Sequence, residues 1–92
     1  MSNFRIFETD QFISNIENLP PSAKVKISKK IREYVYKQIA ENPYFGLNIK
    51  KLRDFSPETW RYRIGTYRLF FEIDDSEKII YITALSKRKD AY

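Results

Sequence analysis

The spacing of the hydrophobic positions changes twice along the chain and predicts a strand, two helices and then a β-rich segment. Near the beginning, Phe4 and Ile6 alternate with Arg5 and Phe7, which is typical of a strand over residues 3–8 with one buried face. Apolar residues then recur at helical spacing from position 12 onward, and strict alternation returns at Trp60.

The two predicted helices are expected to form an antiparallel hairpin. Thr9 and Asp10 both suit the N-cap of the first helix. The prolines at 20 and 21 end that helix and open the second, because the residue before a proline avoids the helical region and proline fits a first helical turn. The second helix is predicted over about residues 22–41, before Asn42 and Pro43. Its apolar stripe comprises Ile27, Ile31, Tyr34, Val35, Gln38 and Ile39.

The β-rich segment follows a predicted connector over residues 44–59. Trp60, Tyr62 and Ile64 alternate with arginines, and alternation resumes at residues 67–73 after a two-residue hairpin loop at positions 65 and 66. A last strand is predicted over residues 78–85. The sequence therefore predicts an α+β fold in one domain, residues 1–92, in which an N-terminal strand, an antiparallel helix hairpin and a three-strand antiparallel meander form one twisted sheet.

Composition narrows the function classes. The 92 residues contain no Cys and no His, which excludes disulfide scaffolds, zinc fingers, a nucleophilic cysteine and a histidine general base. No apolar run is long enough to span a bilayer and no apolar leader is present, so we expect a cytoplasmic protein with no membrane partner. Because His and Cys clusters are absent, we also expect no metal and no cofactor. Seventeen Lys and Arg against twelve Asp and Glu give a net charge of +5, which favours an anionic partner.

Three arginines are predicted to share one face of the β-hairpin. If positions 65 and 66 form the loop, Arg63 lies opposite Arg68, and Arg61 projects from the same face. Like charges directly opposite each other destabilise a hairpin by up to about 1 kcal/mol, so the arrangement points to a function, and three guanidiniums together suit a phosphate. The alternative is a solvated strand in which another register separates the arginines, or in which Glu58 or Glu72 neutralises part of the cluster.

Other basic residues extend this candidate surface. Lys50, Lys51 and Arg53 precede the arginine-bearing strand and are candidates for contacts with backbone phosphates. Lys87, Arg88 and Lys89 follow the last strand, and Tyr92 can stack on a base or bind a phosphate. The alternative for this tail is a solvated terminus. The lysines of the second helix are more typical of a solvated helix face.

These residues also carry a family resemblance. The run Lys51-Leu-Arg, the block Trp60-Arg-Tyr-Arg-Ile-Gly-Thr-Tyr-Arg-Leu-Phe-Phe-Glu-Ile-Asp-Asp, the strand Ile79-Ile-Tyr-Ile and the ending Lys87-Arg-Lys-Asp-Ala-Tyr92 resemble the RelE/ParE toxin superfamily, most of all its RelE-type branch. The resemblance implies the toxin of a toxin–antitoxin pair, which enters the ribosomal A site and cuts mRNA without a metal. Attack of a ribose 2′-OH on the neighbouring phosphate gives a cyclic phosphate and a free 5′-OH. The implied partners are a cognate acidic antitoxin and the ribosome with its mRNA and rRNA.

The resemblance also implies roles for single residues. Arg68 matches the strand arginine that contacts the scissile phosphate, Arg88 matches an arginine that stabilises charge on that phosphate or its leaving group, and Tyr92 matches a tyrosine that stacks on the substrate. Arg61 and Arg63 occupy positions that are lysines in well-known RelE-type toxins. Since arginine is effectively never deprotonated in a protein, these residues can orient and stabilise but not act as bases.

Two alternatives to an mRNA endonuclease remain open. A ParE-like inhibitor of DNA gyrase would have the same fold and would not need the arginine cluster. A catalytically weak homologue that only binds an antitoxin would fit the missing lysines and the absence of the histidine that some relatives carry near Ser86.

Overall fold

The computed structural model describes residues 3–87 and has a five-stranded sheet with helices packed on one face. In chain order its elements are β1 (Arg5–Glu8), α1 (Asp10–Glu17), α2 (Pro21–Lys30), a π-helical turn (Ile31–Val35), α3 (Tyr36–Glu41), β2 (Ile49–Lys51), β3 (Trp60–Ile64), β4 (Tyr67–Asp74) and β5 (Ile79–Lys87). The strand order is β1-β5-β4-β3-β2; β1 runs parallel to β5, and the other pairs are antiparallel. The α+β prediction is confirmed.

Strand β2 is an addition to the predicted sheet, because it lies inside the segment interpreted as a connector. It pairs Ile49 with Tyr62 and Lys50 with Arg61. The Leu52 amide also donates to the Thr59 carbonyl at 2.9 Å beyond the end of the ladder. Three residues, two of them lysines, show no alternation that a sequence pattern could detect. The strand forms because the long edge of β3 offers it backbone hydrogen-bond partners.

The second predicted helix is continuous over residues 21–41 but contains the π-helical turn. Its buried positions, Ile27, Ile31, Val35 and Ile39, are spaced by four residues. In an α-helix each such step overshoots a full turn by about 40°, so three steps in a row drift around the helix. The wider π turn reverses part of this drift and keeps all four side chains on the core. The predicted stripe was wrong at Tyr34, whose side chain is 64% exposed.

Helix α1 covers the edge of β5 that the short strand β1 leaves open. The N-cap is Thr9, whose hydroxyl accepts from the Phe12 amide at 3.3 Å and donates to the Ile82 carbonyl at 2.8 Å. Farther along the helix, the Asn15 side-chain oxygen accepts from the Leu85 amide at 3.0 Å. These bonds satisfy backbone groups on the β5 edge. Among residues 3–87, no helix is long and apolar enough to cross a membrane.

A β-bulge in β5 keeps the apolar residues of that strand on one face of the sheet. Phe70 pairs with Ala84 but Phe71 pairs with Ile82, so Thr83 is an extra residue. The Thr83 hydroxyl donates to the Phe70 carbonyl at 3.2 Å. Without the extra residue, positions 82 and 85 would face opposite ways, since side chains alternate along a strand. With it, both are buried on the helix-covered face.

Candidate functional site

The sheet face opposite the helices is the candidate site, and it is called the open face below. The helix-covered face buries Tyr62 and Ile64 from β3, with Tyr67, Leu69 and Phe71 from β4. The residues that alternate with them must therefore point the other way. On β3 and β4 these open-face residues are Arg61, Arg63, Arg68, Phe70, Glu72 and, at the end of β4, Asp74.

The three predicted arginines lie together on the open face. Strand β3 ends at Ile64 and β4 begins at Tyr67, which pairs with it across the two-residue loop. Arg63 is directly opposite Arg68, as the pairing argument predicted. Arg61 lies one step farther along the same face of β3.

The Arg63–Arg68 pair occupies the closer of the two pair types in an antiparallel ladder. The Arg63 amide donates to the Asn48 carbonyl at 3.0 Å, so it points toward the β2 side and away from β4. The pair is therefore non-hydrogen-bonded, a geometry in which the side chains approach most closely. The loop that fixes this register begins with Gly65, whose φ of 57° suits the first position of a two-residue hairpin.

The predicted backbone-phosphate contacts separate onto two faces. Lys50 pairs with Arg61 and so belongs to the open face, whereas Lys51 pairs with Trp60 on the other face. The Lys51 ammonium lies 3.0 Å from a Glu58 carboxylate oxygen. Glu58 is therefore engaged by this lysine, and of the two predicted neutralising carboxylates only Glu72 shares the face of the arginines.

The other predicted site residues do not lie among the open-face arginines or fall outside the described residues. Arg53 is exposed in the turn after β2. Lys87, at the end of β5, pairs with Tyr67 and therefore lies on the helix-covered face. Arg88, Lys89 and Tyr92 lie outside the described residues.

The electrostatics of the open face come mainly from guanidinium groups. Arg61 and Arg68 are half-buried, and both interact with neighbouring groups. Arg63 is exposed beside the hairpin loop. Because arginine stays protonated, this surface can bind and neutralise an anion but cannot remove a proton. Across residues 3–87, no three His, Cys, Asp or Glu side chains are grouped so that they could hold a metal ion.

Perturbed pKa values occur away from the arginines. Burial, together with a 2.7 Å hydrogen bond to Glu8, raises the pKa of Tyr36 far above its usual range. A hydrogen bond from the Tyr44 hydroxyl, followed by the Lys78 ammonium, lowers the pKa of the Asp75 carboxyl. These groups stabilise the fold and lie at other positions than the hairpin arginines.

Sequence reasoning missed the aromatic residues of the open face. Phe70 pairs with Arg61, and Phe7 pairs with Tyr81 across β1 and β5. Phe7 alternates with Ile6 in the sequence, and Phe70 follows from the same register that places the arginines. The signal was therefore present in the pattern, but these rings were given no role.

Two sequence comparisons decide the family. A family model described as the ParE toxin of the type II toxin–antitoxin system parDE matches residues 8–92. A protein of Methanocaldococcus jannaschii that bears the name of toxin RelE1 is 30% identical over 80 residues, which are 87% of this chain and 84% of the relative. The chain belongs to the RelE/ParE family of type II toxins. The family resemblance that the arginine-rich block predicted is confirmed.

Solved structures agree with this membership. The RelBE2 toxin–antitoxin complex of Mycobacterium tuberculosis matches with a TM-score of 0.74 and 25% identity, covering 96% of this chain and 94% of that chain. A free RelE double mutant of E. coli matches with a TM-score of 0.68 and 18% identity over 99% of this chain and 88% of that chain. The RelE–RelB complex of Pyrococcus horikoshii matches with a TM-score of 0.62 and 20% identity, covering 94% of this chain and 96% of that chain. The two likenesses below 25% identity establish the RelE fold alone.

Proposed function

We propose that this RelE/ParE-family toxin cuts mRNA on the ribosome and uses Arg61, Arg63 and Arg68 to hold and neutralise the scissile phosphate. The observation that supports the proposal best is the close, non-hydrogen-bonded pairing of Arg63 with Arg68. Two like charges at this position oppose hairpin formation, and a bound phosphate removes the conflict. The named relative bears the name of a RelE toxin and the M. tuberculosis complex contains one, which supports the RelE-type resemblance that implies an RNA substrate.

The proposed reaction is an internal transfer at phosphorus. The ribose 2′-oxygen bonds to the phosphorus while the bond to the 5′-oxygen breaks, so one fragment ends in a cyclic phosphate and the other begins with a 5′-hydroxyl. The 2′-hydroxyl loses its proton and the leaving 5′-oxygen gains one. Negative charge grows on the phosphate oxygens in between, and fixed guanidiniums lower the barrier by stabilising it.

The arginines share this work according to their positions. Arg68 and Arg63 approach the phosphate from two adjacent strands, and Arg61 contacts it or the next one along β3. Arg88 stabilises the leaving group and Tyr92 stacks on the substrate, as the resemblance implies. Tyr92 or water carries out the proton transfer, because Lys87 pairs with Tyr67 and therefore lies on the helix-covered face, away from the arginines. Alignment of the 2′-oxygen and charge stabilisation therefore supply most of the rate.

The proposed partners are an antitoxin and the ribosome. The solved complexes of M. tuberculosis and P. horikoshii hold RelE-type toxins together with their RelB antitoxins. A cognate acidic antitoxin would complement the net charge of +5. In its absence, the toxin would enter the A site, where Lys50 and Arg53 contact RNA phosphates.

The decisive experiment maps mRNA 5′ ends after the toxin is expressed without an antitoxin. We expect growth arrest and new 5′ ends within codons for the natural chain, and neither for Arg68→Ala at equal protein level. Intact mRNA in arrested cells would overturn the proposal. An Arg68→Ala variant that still cuts at the same codons would overturn the site.

A second candidate, inhibition of DNA gyrase, is favoured by the ParE description of the matching family model. It predicts blocked supercoiling by purified gyrase in vitro and induction of the DNA-damage response in cells, with mRNA left intact. Since a gyrase inhibitor would not need the arginine cluster, Arg68→Ala would keep that inhibition. A chain that binds its antitoxin but neither cuts mRNA nor inhibits gyrase would be the catalytically weak homologue.

A further inference from the structure

The open face has an aromatic half beside its cationic half. Phe7 and Tyr81 are paired across β1 and β5, with ring centroids 5.6 Å apart and planes inclined by 62°. The Phe7 side chain is 56% exposed, although a phenylalanine gains free energy when it leaves water. Tyr81 is half-buried beside it, and an aromatic pair with one exposed ring, on a sheet face that also carries arginines, is typical of a ligand-binding surface.

The strand register places Phe70 between the arginines and the Phe7–Tyr81 pair. Phe70 pairs with Arg61 on β3. Two residues farther along β4, Glu72 pairs with Tyr81 on β5, so Phe70 and Tyr81 are diagonal neighbours. Diagonal neighbours of this kind lie about 7–8 Å apart, within reach of aromatic side chains. From the hairpin loop toward β1, the open face therefore presents arginines, then Phe70, then Tyr81 with Phe7.

We propose that Phe7, Phe70 and Tyr81 form a stacking platform for the bases of single-stranded RNA next to the phosphate held by the arginines. This inference rests on the proposed function and adds to it the position of the neighbouring bases. Sheet faces with two or three exposed rings stack splayed bases, and such stacking tolerates every base because each has a π face. Positive charge beside the rings holds the phosphates that join those bases.

A single-stranded RNA suits this surface better than an acidic protein segment. The rings offer flat apolar faces, and the charges that β4 places beside Tyr81 are the carboxylates of Glu72 and Asp74. An acidic peptide would be repelled there, whereas a base presents amino groups from which a carboxylate can accept. The platform would then hold the RNA on the side of the scissile phosphate that faces β1.

The test measures RNA binding by variants that lose a ring but keep apolar volume. Phe7→Leu and Tyr81→Leu remove the π faces, and Phe45→Leu is the matched control, because Phe45 is 81% exposed and lies in the segment before β2. The probes are a fluorescein-labelled ten-nucleotide RNA and an abasic strand of the same length. Binding is followed by anisotropy on the purified full chain, and thermal unfolding confirms that each variant is folded.

We expect Phe7→Leu and Tyr81→Leu each to weaken binding of the normal RNA roughly tenfold, the order expected for one stacked base. Binding of the abasic strand should be unchanged, and Phe45→Leu should match the natural chain on both probes. Equal losses on both strands, or no loss on either, would overturn the platform. Variants that bind RNA normally but fail to bind the antitoxin would also overturn it and would make the patch a protein interface.

The same measurements separate this inference from the proposed function. If the natural chain cuts mRNA and the leucine variants bind RNA as it does, only the platform is wrong. If the natural chain neither binds nor cuts RNA, the proposed function is wrong as well.

Discussion

Arg63 and Arg68 face each other at a non-hydrogen-bonded position of the β3–β4 hairpin, so two positive charges occupy the closest side-chain pairing that an antiparallel ladder offers. The loop beside them fixes this register. The free protein therefore holds like charges together at the point where the proposed reaction needs them.

Neutralising Arg63 should stabilise the fold while it impairs cleavage. Arg63→Gln keeps a long polar side chain and removes the repulsion, so the free energy of unfolding should rise by up to about 1 kcal/mol at low salt. Urea unfolding at 20 mM and 500 mM salt measures this, and the gain should shrink at high salt because the repulsion is then screened. A variant that is less stable at low salt would show that the pair is not repulsive.

Lys50 and Lys51 provide a matched pair of adjacent charges on opposite faces of the sheet. Lys50→Ala should weaken RNA binding and reduce the slope of log affinity against log salt by about one, as expected when one phosphate contact is lost. Lys51→Ala should leave both quantities unchanged, since its ammonium pairs with Glu58 at an exposed site. Equal effects of the two substitutions would mean that the face of the sheet does not determine RNA contact.

A hydrogen bond between the sheet and α3 should contribute to stability without affecting activity. The Tyr62 hydroxyl donates to the Gln38 side-chain oxygen at 2.6 Å, and Tyr62 is only 5% exposed. Tyr62→Phe should lower the free energy of unfolding by about 1 kcal/mol, because the partner loses its donor inside the protein. Denaturant unfolding tests this prediction, and an unchanged cleavage rate for the folded variant is the control.

The turn after β4 should make stability sensitive to acid. The Tyr44 hydroxyl and then the Lys78 ammonium lower the pKa of Asp75 below its ordinary value of 3.8. Stability from this carboxylate is fully present above the unfolded-state pKa, and it is lost as the pH falls through the lower folded-state pKa. Tyr44→Phe should therefore reduce the stability difference between pH 6 and pH 2.5. The same difference in both proteins, measured by urea unfolding, would contradict this assignment.

The buried stripe of the second helix offers a contrast between a confirmed and a wrong prediction. Ile39 is fully buried, so Ile39→Ala should cost about 2–5 kcal/mol of stability. Tyr34→Ala should cost only a few tenths of a kcal/mol, because most of that side chain is in water. A comparable loss for both variants would show that Tyr34 packs on the core.

The sequence could predict features that depend on neighbours along the chain. Thr9 caps α1, the two prolines separate the helices, and the loop at Gly65 fixes which residue of β3 faces which residue of β4. These features follow from local hydrogen bonding and backbone sterics. The arginine cluster followed from them, because side-chain alternation converts a register into a face.

Tertiary structure decided what depends on distant partners. Strand β2 exists because β3 offers an edge, and that pairing places Lys50 with the arginines but turns Lys51 away. The bulge at Thr83 and the π turn after α2 are adjustments that keep apolar residues on one core. The pairing of Phe7 with Tyr81 joins β1 to the last strand, across most of the chain. A pattern shows which residues alternate, but only the assembled sheet shows which of them become neighbours.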